Sequence, residues 1–269
     1  MGVFTVTRVP LTTLGNTGLQ VSRLGLGTVK IGRNSSVKYP SPFDLPDDRS
    51  VRRLLDTARE LGINLLDTAP AYGSSEERLG RLLPERHDWV LCGKAGEEFH
   101  DGQSSFDFSA TAIRRSVERS LHRLCTDHLD ILLLHSDGND RSILEQTEAF
   151  ETLTRLRDEG LVRAIGLSGK TVEGGLLALE RGADCVMVTF NPEASEERTV
   201  IREARRLQRG VLVKKALNSG HRAESLQENL DFVFGEAGVG AAIIGTLNPD
   251  HLYANASACL QALSGRRAY

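Results

Sequence analysis

Polar side chains of complementary chemistry end three successive apolar runs in the first half of the chain. Asp67 ends one run and Tyr72 follows it in the segment DTAPAYG. Lys94 ends the next run, and His135 ends the one after that. A phenol with a pKa of about 10 transfers protons poorly near neutrality. A neighbouring ammonium would lower that pKa, and a carboxylate would keep the ammonium charged. This combination predicts proton transfer to a carbonyl oxygen.

The four side chains take distinct roles in this hypothesis. Tyr72 is the general acid and Lys94 tunes its pKa. Asp67 anchors Lys94, and His135 donates a hydrogen bond that positions the carbonyl. None of these groups can supply a hydride, so the reaction requires a cofactor. Taken singly, each residue also has an ordinary structural explanation, but their occurrence at successive strand ends favours catalysis.

Eight short runs rich in Val, Ile and Leu must position these side chains, and such runs are typical of parallel strands covered on both faces. They cover residues 24–28, 63–67, 89–94, 129–135, 162–168, 185–190, 211–217 and 241–246. Between them lie segments with apolar residues at helical spacing. Eight strands alternating with helices predict an α/β fold, a (β/α)8 TIM barrel forming a single domain over residues 1–269.

Other segments refine this fold prediction. Residues 14–19 predict a small N-terminal β-hairpin that closes the barrel bottom. The rival fold is an open doubly wound sheet, but no strand–GxGxxG–helix unit is present to support it. The long irregular segment 29–47 predicts a lid or binding loop. In a barrel of this kind, chemistry lies at the carboxyl ends of the strands.

Composition narrows the classes of function. The chain has 269 residues, with 33 Lys and Arg against 36 Asp and Glu, for a formal net charge of −3. That balance argues against binding of duplex nucleic acid. No apolar stretch approaches the roughly 20 residues of a membrane span, and the N-terminus lacks a signal-peptide pattern. Four widely separated cysteines indicate reduced packing residues and predict no metal site. We therefore expect a cytoplasmic protein with no membrane partner.

The segments DTAPAYG, CGKAG, LLLHSDG and IIGTLNPDHLYAN together resemble the aldo-keto reductase superfamily, along essentially the whole chain. The resemblance implies a (β/α)8 barrel that reversibly reduces an aldehyde or ketone to an alcohol. It implies NADP(H) as the hydride donor, with NAD(H) as the alternative, and a small carbonyl compound as substrate, a sugar-derived one among the candidates. The catalytic tetrad it implies is Asp67, Tyr72, Lys94 and His135. The oligomeric state stays open.

The resemblance also implies which residues hold the cofactor. Ser168 matches a serine that binds the nicotinamide amide, and Phe190 stands for a tyrosine that stacks on the ring. Gly169 and Met187 depart from the usual Asn and Gln, which predicts a thinned amide clamp. Residues 217–220 resemble a pyrophosphate loop, and residues 245–255 resemble an adenosine-phosphate segment. The full set implied is Gly27, Thr28, Ser168, Phe190, Leu217, Ser219, Gly220, Gly245, Thr246, Asn248, His251 and Asn255.

Two other functions remain open on sequence grounds. Lys214 and Lys215 lie within one strand, where alternation points one of them into the barrel. A desolvated barrel lysine can form a Schiff base, as in an aldolase or decarboxylase. The thinned amide clamp also allows a sensor that binds NADP(H) without useful turnover.

Overall fold

The computed structural model describes residues 8–222 and 225–265. The strands of this part of the chain are β1 (Leu11–Thr13), β2 (Gln20–Ser22), β3 (Leu24–Gly27), β4 (Leu65–Asp67), β5 (Val90–Ala95), β6 (Glu97–His100), β7 (Gln103–Phe106), β8 (Leu129–His135), β9 (Val162–Ser168), β10 (Cys185–Thr189), β11 (Gly210–Lys214) and β12 (Ala241–Ile244). Eight of them, β3, β4, β5 and β8–β12, form a closed barrel in which every neighbouring pair is parallel. The predicted (β/α)8 barrel is confirmed.

Helices surround the barrel on the outside. They are α1 (Val29–Gly32), α2 (Asp48–Glu60), α3 (Ser75–Leu82), α4 (Ala110–Leu124), α5 (Asp140–Gln146), α6 (Ala149–Asp158), α7 (Val172–Glu180), α8 (Arg198–Arg206), α9 (Leu226–Gly235) and α10 (Pro249–Gly265). Short 3-10 helices cover Pro70–Tyr72, Arg86–Asp88 and Asn218–Gly220. No helix of the residues described has both the length and the apolar character needed to cross a membrane.

The barrel strands bury both faces because their side chains enter two different apolar layers. In β8, Ile131 and Leu133 belong to the cluster inside the barrel, whereas Leu132 and Leu134 belong to the layer beneath the helices. Side chains alternate between the faces of a strand. His135, two residues after Leu133, therefore continues the inward set and reaches the mouth of the barrel.

The antiparallel hairpin β1–β2 lies at the amino-terminal end of the barrel, opposite the mouth, as expected. Leu14 and Leu19, in the connection between its strands, are buried in the inner cluster together with Val21. Leu14 packs so closely on Gly210, the first residue of β11, that a Cβ there would lie 2.5 Å from the Leu14 Cγ. The hairpin thus plugs the amino-terminal end and leaves the carboxyl-terminal mouth for a site.

A second hairpin, β6–β7, was not predicted. It follows β5 directly and stands above the barrel mouth, where its first residue, Glu97, meets His135. Its strands are polar and mostly exposed, so they lack the apolar alternation by which strands are recognised in a sequence.

Candidate active site

Three of the predicted catalytic side chains point into the barrel mouth because side chains alternate between the two faces of a strand. Leu65 in β4 and Cys92 in β5 belong to the inner cluster. Asp67 and Lys94 each lie two residues further along their strands, so both point inward at the carboxyl ends. Together with His135 from β8 they come from three strands that are adjacent in the barrel. This is the position of active sites in barrels of this type.

Asp67, Lys94 and Tyr72 form one buried polar cluster. The Lys94 Nζ is ion-paired with the Asp67 Oδ1, and the two side chains are 1% and 7% exposed. Lys94 also donates to the backbone oxygen of Thr68 at 3.1 Å. The Tyr72 hydroxyl donates to the Asp67 Oδ2 at 3.4 Å, and its ring centroid lies 4.8 Å from the Lys94 Nζ. The carboxylate therefore bridges the ammonium and the phenol.

Burial and the local charges set the protonation states of this cluster. Burial raises the pKa of Tyr72 above its ordinary value, the Asp67 charge raises it further, and Lys94 lowers it. The Lys94 contribution has the expected direction, but burial and Asp67 outweigh it. Burial alone would lower the pKa of Lys94, yet Asp67 raises it above its usual value. At neutral pH the phenol therefore keeps its proton beside a fixed ammonium.

The backbone around Tyr72 is held from behind by tight packing. Tyr72 ends the 3-10 helix Pro70–Tyr72, and Gly73 follows it at φ +62°. A Cβ on Gly73 would lie 2.2 Å from the backbone oxygen of Gly32, so only glycine permits this approach to α1. Thr28 is fully buried, and its hydroxyl donates to the backbone oxygen of Asp67 at 2.9 Å. The Thr28 side chain thus supports the backbone of the Asp67–Lys94–Tyr72 cluster and, contrary to expectation, does not line the cleft described below.

His135 stands on the other side of the Tyr72 ring, with the ring centroids 6.1 Å apart and the planes nearly perpendicular. Its Nδ1 lies 2.8 Å from the Glu97 Oε2. Burial lowers the pKa of His135, while Glu97 opposes that shift. Burial would raise the pKa of Glu97, but His135 and Ser104 lower it to about 2. A neutral imidazole is therefore held by an ionised carboxylate that sequence reasoning did not identify.

A cavity of about 440 Å³ opens beside Asp67 and runs across the ends of β3, β12 and β11 to α10. Eight of the implied cofactor-binding residues line it: Gly27, Leu217, Ser219, Gly220, Gly245, Thr246, His251 and Asn255. The volume falls in the usual range for a small-molecule site. A Cβ on Gly245 would lie 3.3 Å from the backbone oxygen of Gly27, so glycine keeps this part of the cleft open.

The loop that follows β3 forms another wall of the cleft. Lys30, Tyr39 and Pro40 line it, and the Lys30 Nζ lies 4.2 Å from the Tyr39 ring centroid. Burial and the Asp67 charge raise the pKa of Tyr39 to about 12, so its hydroxyl stays protonated. The sequence indicated a binding loop over residues 29–47, but no pattern singled out Lys30 within it.

Phe190 is not in the cleft, contrary to expectation. Cys185 and Met187 in β10 point into the barrel and belong to the inner cluster. Because side chains alternate along the strand, Val188 and Phe190 point outward, into the layer beneath the helices. The Phe190 ring is 0% exposed, and its centroid lies 4.9 Å from that of Phe232. No face of this ring is available for stacking on a ligand.

Two further implied residues also lie outside the cavity lining. Asn248 is exposed, and its Oδ1 accepts from the backbone nitrogen of Asp250 at 2.9 Å, which caps the start of α10. Ser168 is buried at the end of β9, where its Oγ accepts from the Lys214 Nζ at 2.9 Å.

Lys214 and Lys215 have opposite environments. Lys214 is half-buried at the inward end of β11 and also donates to the backbone oxygen of Gly169 at 2.6 Å. Burial lowers the pKa of Lys214 to about 8, against an opposing contribution from Glu197. Lys215 is exposed and lines the cleft. Among the residues described, no cluster of three or more His, Cys, Asp or Glu side chains is arranged to hold a metal ion.

The cleft has the chemistry that a dinucleotide requires. Lys30 and Lys215 supply positive charge for phosphate groups, and Ser219 and Thr246 supply hydroxyls. His251 lies in the first turn of α10, where a helix favours anions. Asp67 lines one end of the same cavity and belongs to the buried polar cluster. The residues present therefore fit a nicotinamide dinucleotide.

Comparisons of the sequence and of the structure with known proteins point to the same family. Residues 23–220 match the model of the Aldo/keto reductase family. A solved structure from Pseudomonas aeruginosa, assigned to the aldo-keto reductases, is 55% identical to this chain, covers 96% of it and 98% of the other chain, and superimposes with a TM-score of 0.88.

Curated relatives are more distant. L-galactose dehydrogenase of Arabidopsis thaliana is 36% identical over 65% of this chain and 53% of its own length. D-threo-aldose 1-dehydrogenase of a Pseudomonas species is 30% identical over 77% of this chain and 69% of its own length. The chain spans about half the length of the first of these enzymes.

Proposed function

The chain belongs to the aldo/keto reductase family, and from that premise we propose that it is an NADP(H)-dependent oxidoreductase that reversibly reduces an aldehyde or ketone to an alcohol. Tyr72 is the general acid for the reduction. The observation that carries the proposal is the buried contact of Tyr72 with the Asp67–Lys94 ion pair, at one end of the cleft that most of the implied cofactor-binding residues line.

The protein's own groups handle the proton. Tyr72 is protonated at neutral pH and gives its proton to the carbonyl oxygen as negative charge develops there. The Lys94 ammonium, 4.8 Å from the ring centroid, stabilises the phenolate that remains. Asp67 fixes that ammonium, and the burial of both charges strengthens their interaction. In alcohol oxidation the same phenolate accepts the proton.

His135 orients the substrate oxygen next to Tyr72. The imidazole is neutral near pH 7, and Glu97 holds its Nδ1 edge. When bound, the dinucleotide supplies or accepts the hydride. Gly27, Gly245 and Asn255 would hold it along the cleft, with Lys30 and Lys215 near its phosphates.

We propose NADP(H) over NAD(H) because the far end of the cleft, at the start of α10, is suited to an additional phosphate. His251 lies there in the N-terminal turn of α10, a helix of 17 residues, and Thr246 lies in the segment just before that helix. For the substrate we propose a sugar-derived aldehyde. The names of the plant and Pseudomonas relatives, both dehydrogenases of sugars, support that class.

The test is oxidation of NADPH, and separately of NADH, across a panel of simple aldehydes, ketones and aldoses. We expect NADPH-dependent loss of carbonyl compound. Complete inactivity toward every member, with either cofactor, would contradict the proposal.

Lys214 favours one competing function, because its pKa of about 8 leaves part of the amine unprotonated near neutrality. A Schiff-base enzyme would be trapped covalently on its substrate by borohydride. We expect no such adduct, because the Lys214 Nζ is occupied by hydrogen bonds to Ser168 and Gly169.

A further inference from the structure

Lys214 reaches across the barrel mouth to a strand that is not its neighbour. It ends β11, whereas its hydrogen-bond acceptors, the Ser168 Oγ at 2.9 Å and the Gly169 oxygen at 2.6 Å, lie at the end of β9. Between those strands stands β10, whose inward residue Met187 is buried below. The ammonium therefore covers the place where β9 and β10 would present groups to a nicotinamide ring.

The neighbouring residues offer few donors to an amide there. Gly169 has no side chain, and Met187 has only a thioether, which is a weak acceptor. The Ser168 hydroxyl accepts from Lys214 and has a single O–H to donate. An ammonium carries three N–H donors, and the two hydrogen bonds recorded for Lys214 use two of them. One donor remains for a ligand.

We propose that Lys214 binds the nicotinamide end of the dinucleotide and that its positive charge makes the protein bind the reduced cofactor more tightly than the oxidised one. This inference rests on the proposed function. The oxidised ring carries a positive charge that the reduced ring lacks. A second positive charge a few ångströms away therefore penalises only the oxidised form.

The charge of Lys214 is poorly compensated, which is why it can have this effect. Both of its hydrogen-bond acceptors are neutral oxygens. Glu197 contributes most to retaining the proton, but burial raises the pKa of this carboxyl well above its ordinary value, which disfavours its charged form. Because the pKa of Lys214 is about 8, the amine is mostly protonated at pH 7. Lys94, in contrast, is neutralised by Asp67.

The test is fluorescence titration of the intact protein with NADPH and with NADP⁺ at pH 7, comparing the ratio of the two dissociation constants. With an effective dielectric constant near 20, a unit charge at this range changes that ratio by at least about tenfold. We expect Lys214→Met to lower the preference for NADPH by that factor, and Lys214→Arg to retain most of it.

Lys215→Met is the matched control. Lys215 is the adjacent residue and lines the cleft where the phosphates would lie. Because both cofactor forms carry the same phosphates, its loss should weaken both forms alike and leave the ratio unchanged. Thermal melting of each variant verifies that it is folded.

Two results would overturn the inference: an unchanged ratio in Lys214→Met, or a Lys214→Arg variant that behaves like Lys214→Met. Failure of the proposed function gives a different result: either neither NADPH nor NADP⁺ binds the unmodified protein, or the cofactor binds and no carbonyl compound is reduced. Repeating the titrations with NADH and NAD⁺ covers the alternative cofactor.

Discussion

Two inward lysines at the barrel mouth differ in what surrounds them. Lys94, the penultimate residue of β5, lies beside the carboxylate of Asp67, and its pKa is raised despite its burial. Lys214 ends β11 beside a hydroxyl and a backbone oxygen, and its pKa is lowered to about 8. The same residue type at equivalent strand positions is thus a fixed cation in one place and a titratable amine in the other. The counter-charge, rather than burial, decides which it becomes.

In the proposed function, this difference separates a proton-transfer side of the mouth from a ring-binding side. The proton-transfer side contains Tyr72 and the buried Asp67–Lys94 ion pair, in which Asp67 raises the pKa of Lys94. The ring-binding side contains Lys214 and Ser168, and both hydrogen-bond acceptors of Lys214 are neutral oxygens. Variants on the two sides should therefore fail in different ways.

The largest effect is expected on the proton-transfer side, from Tyr72→Phe. Removing the hydroxyl removes the general acid, which contributes typically 10²–10⁴-fold to a rate. We expect kcat/KM for carbonyl reduction to fall about 10³-fold. The affinity for NADPH should stay within about threefold, because the cofactor cleft is intact. A variant that keeps full activity would exclude Tyr72 as the acid and would leave a binding or sensor function open.

Replacing each lysine with methionine should separate the two sides by stability. Lys94→Met leaves Asp67 buried without its partner, and we expect the free energy of unfolding to fall by about 3 kcal/mol. Lys214→Met removes a partly desolvated charge that has no close carboxylate partner, so the change should stay within about 1 kcal/mol. Urea denaturation measures both variants.

The double variant Asp67→Asn with Lys94→Met tests whether the unpaired Asp67 charge causes the stability loss of Lys94→Met. It removes both charges, so it should recover a large part of the lost stability without recovering activity. Equal losses for Lys94→Met and Lys214→Met would contradict the distinction between the two lysines.

Glu97→Gln should give a smaller effect that depends on pH. The pKa of Glu97 is lowered to about 2 in the folded protein, from an ordinary value of 4.5. A carboxyl with a lowered pKa adds stability above its unfolded pKa, and that stability is lost as pH falls through the folded pKa. We expect Glu97→Gln to be less stable by about 2 kcal/mol at pH 6 and for the difference to shrink between about pH 5 and pH 2. Denaturation at a series of pH values measures it, and a constant difference would contradict the role of the Glu97 charge.

Phe190→Leu gives the smallest change and tests the ring-binding side. Phe190 packs outward against Phe232, so we expect a loss of about 1 kcal/mol in unfolding free energy. The dissociation constant for NADPH should not change, because the ring does not reach the cleft. If Phe190→Leu remained folded but bound NADPH clearly more weakly, Phe190 would have to be a stacking residue after all.

The sequence could predict that Asp67, Lys94 and His135 converge at the barrel mouth, because their positions follow from alternation along single strands. Asp67, Lys94 and His135 each continue the inward parity of their strand. The same rule, applied to β10, excludes Phe190, which the family resemblance alone had placed at the cofactor. Glu97 could not be predicted, because its contact with His135 depends on how a polar hairpin folds over the mouth. For Lys214 and Lys215, alternation indicated that one points inward but not which one.

The most direct test of the central claim is to follow a labelled hydride. The protein is given NADPH deuterated at the transferable position of C4, together with an aldehyde that it reduces, and the alcohol is analysed by mass spectrometry. We expect the unmodified protein at neutral pH to place one deuterium on the carbinol carbon of each product molecule. Alcohol without deuterium, or consumption of carbonyl compound without oxidation of the cofactor, would contradict it.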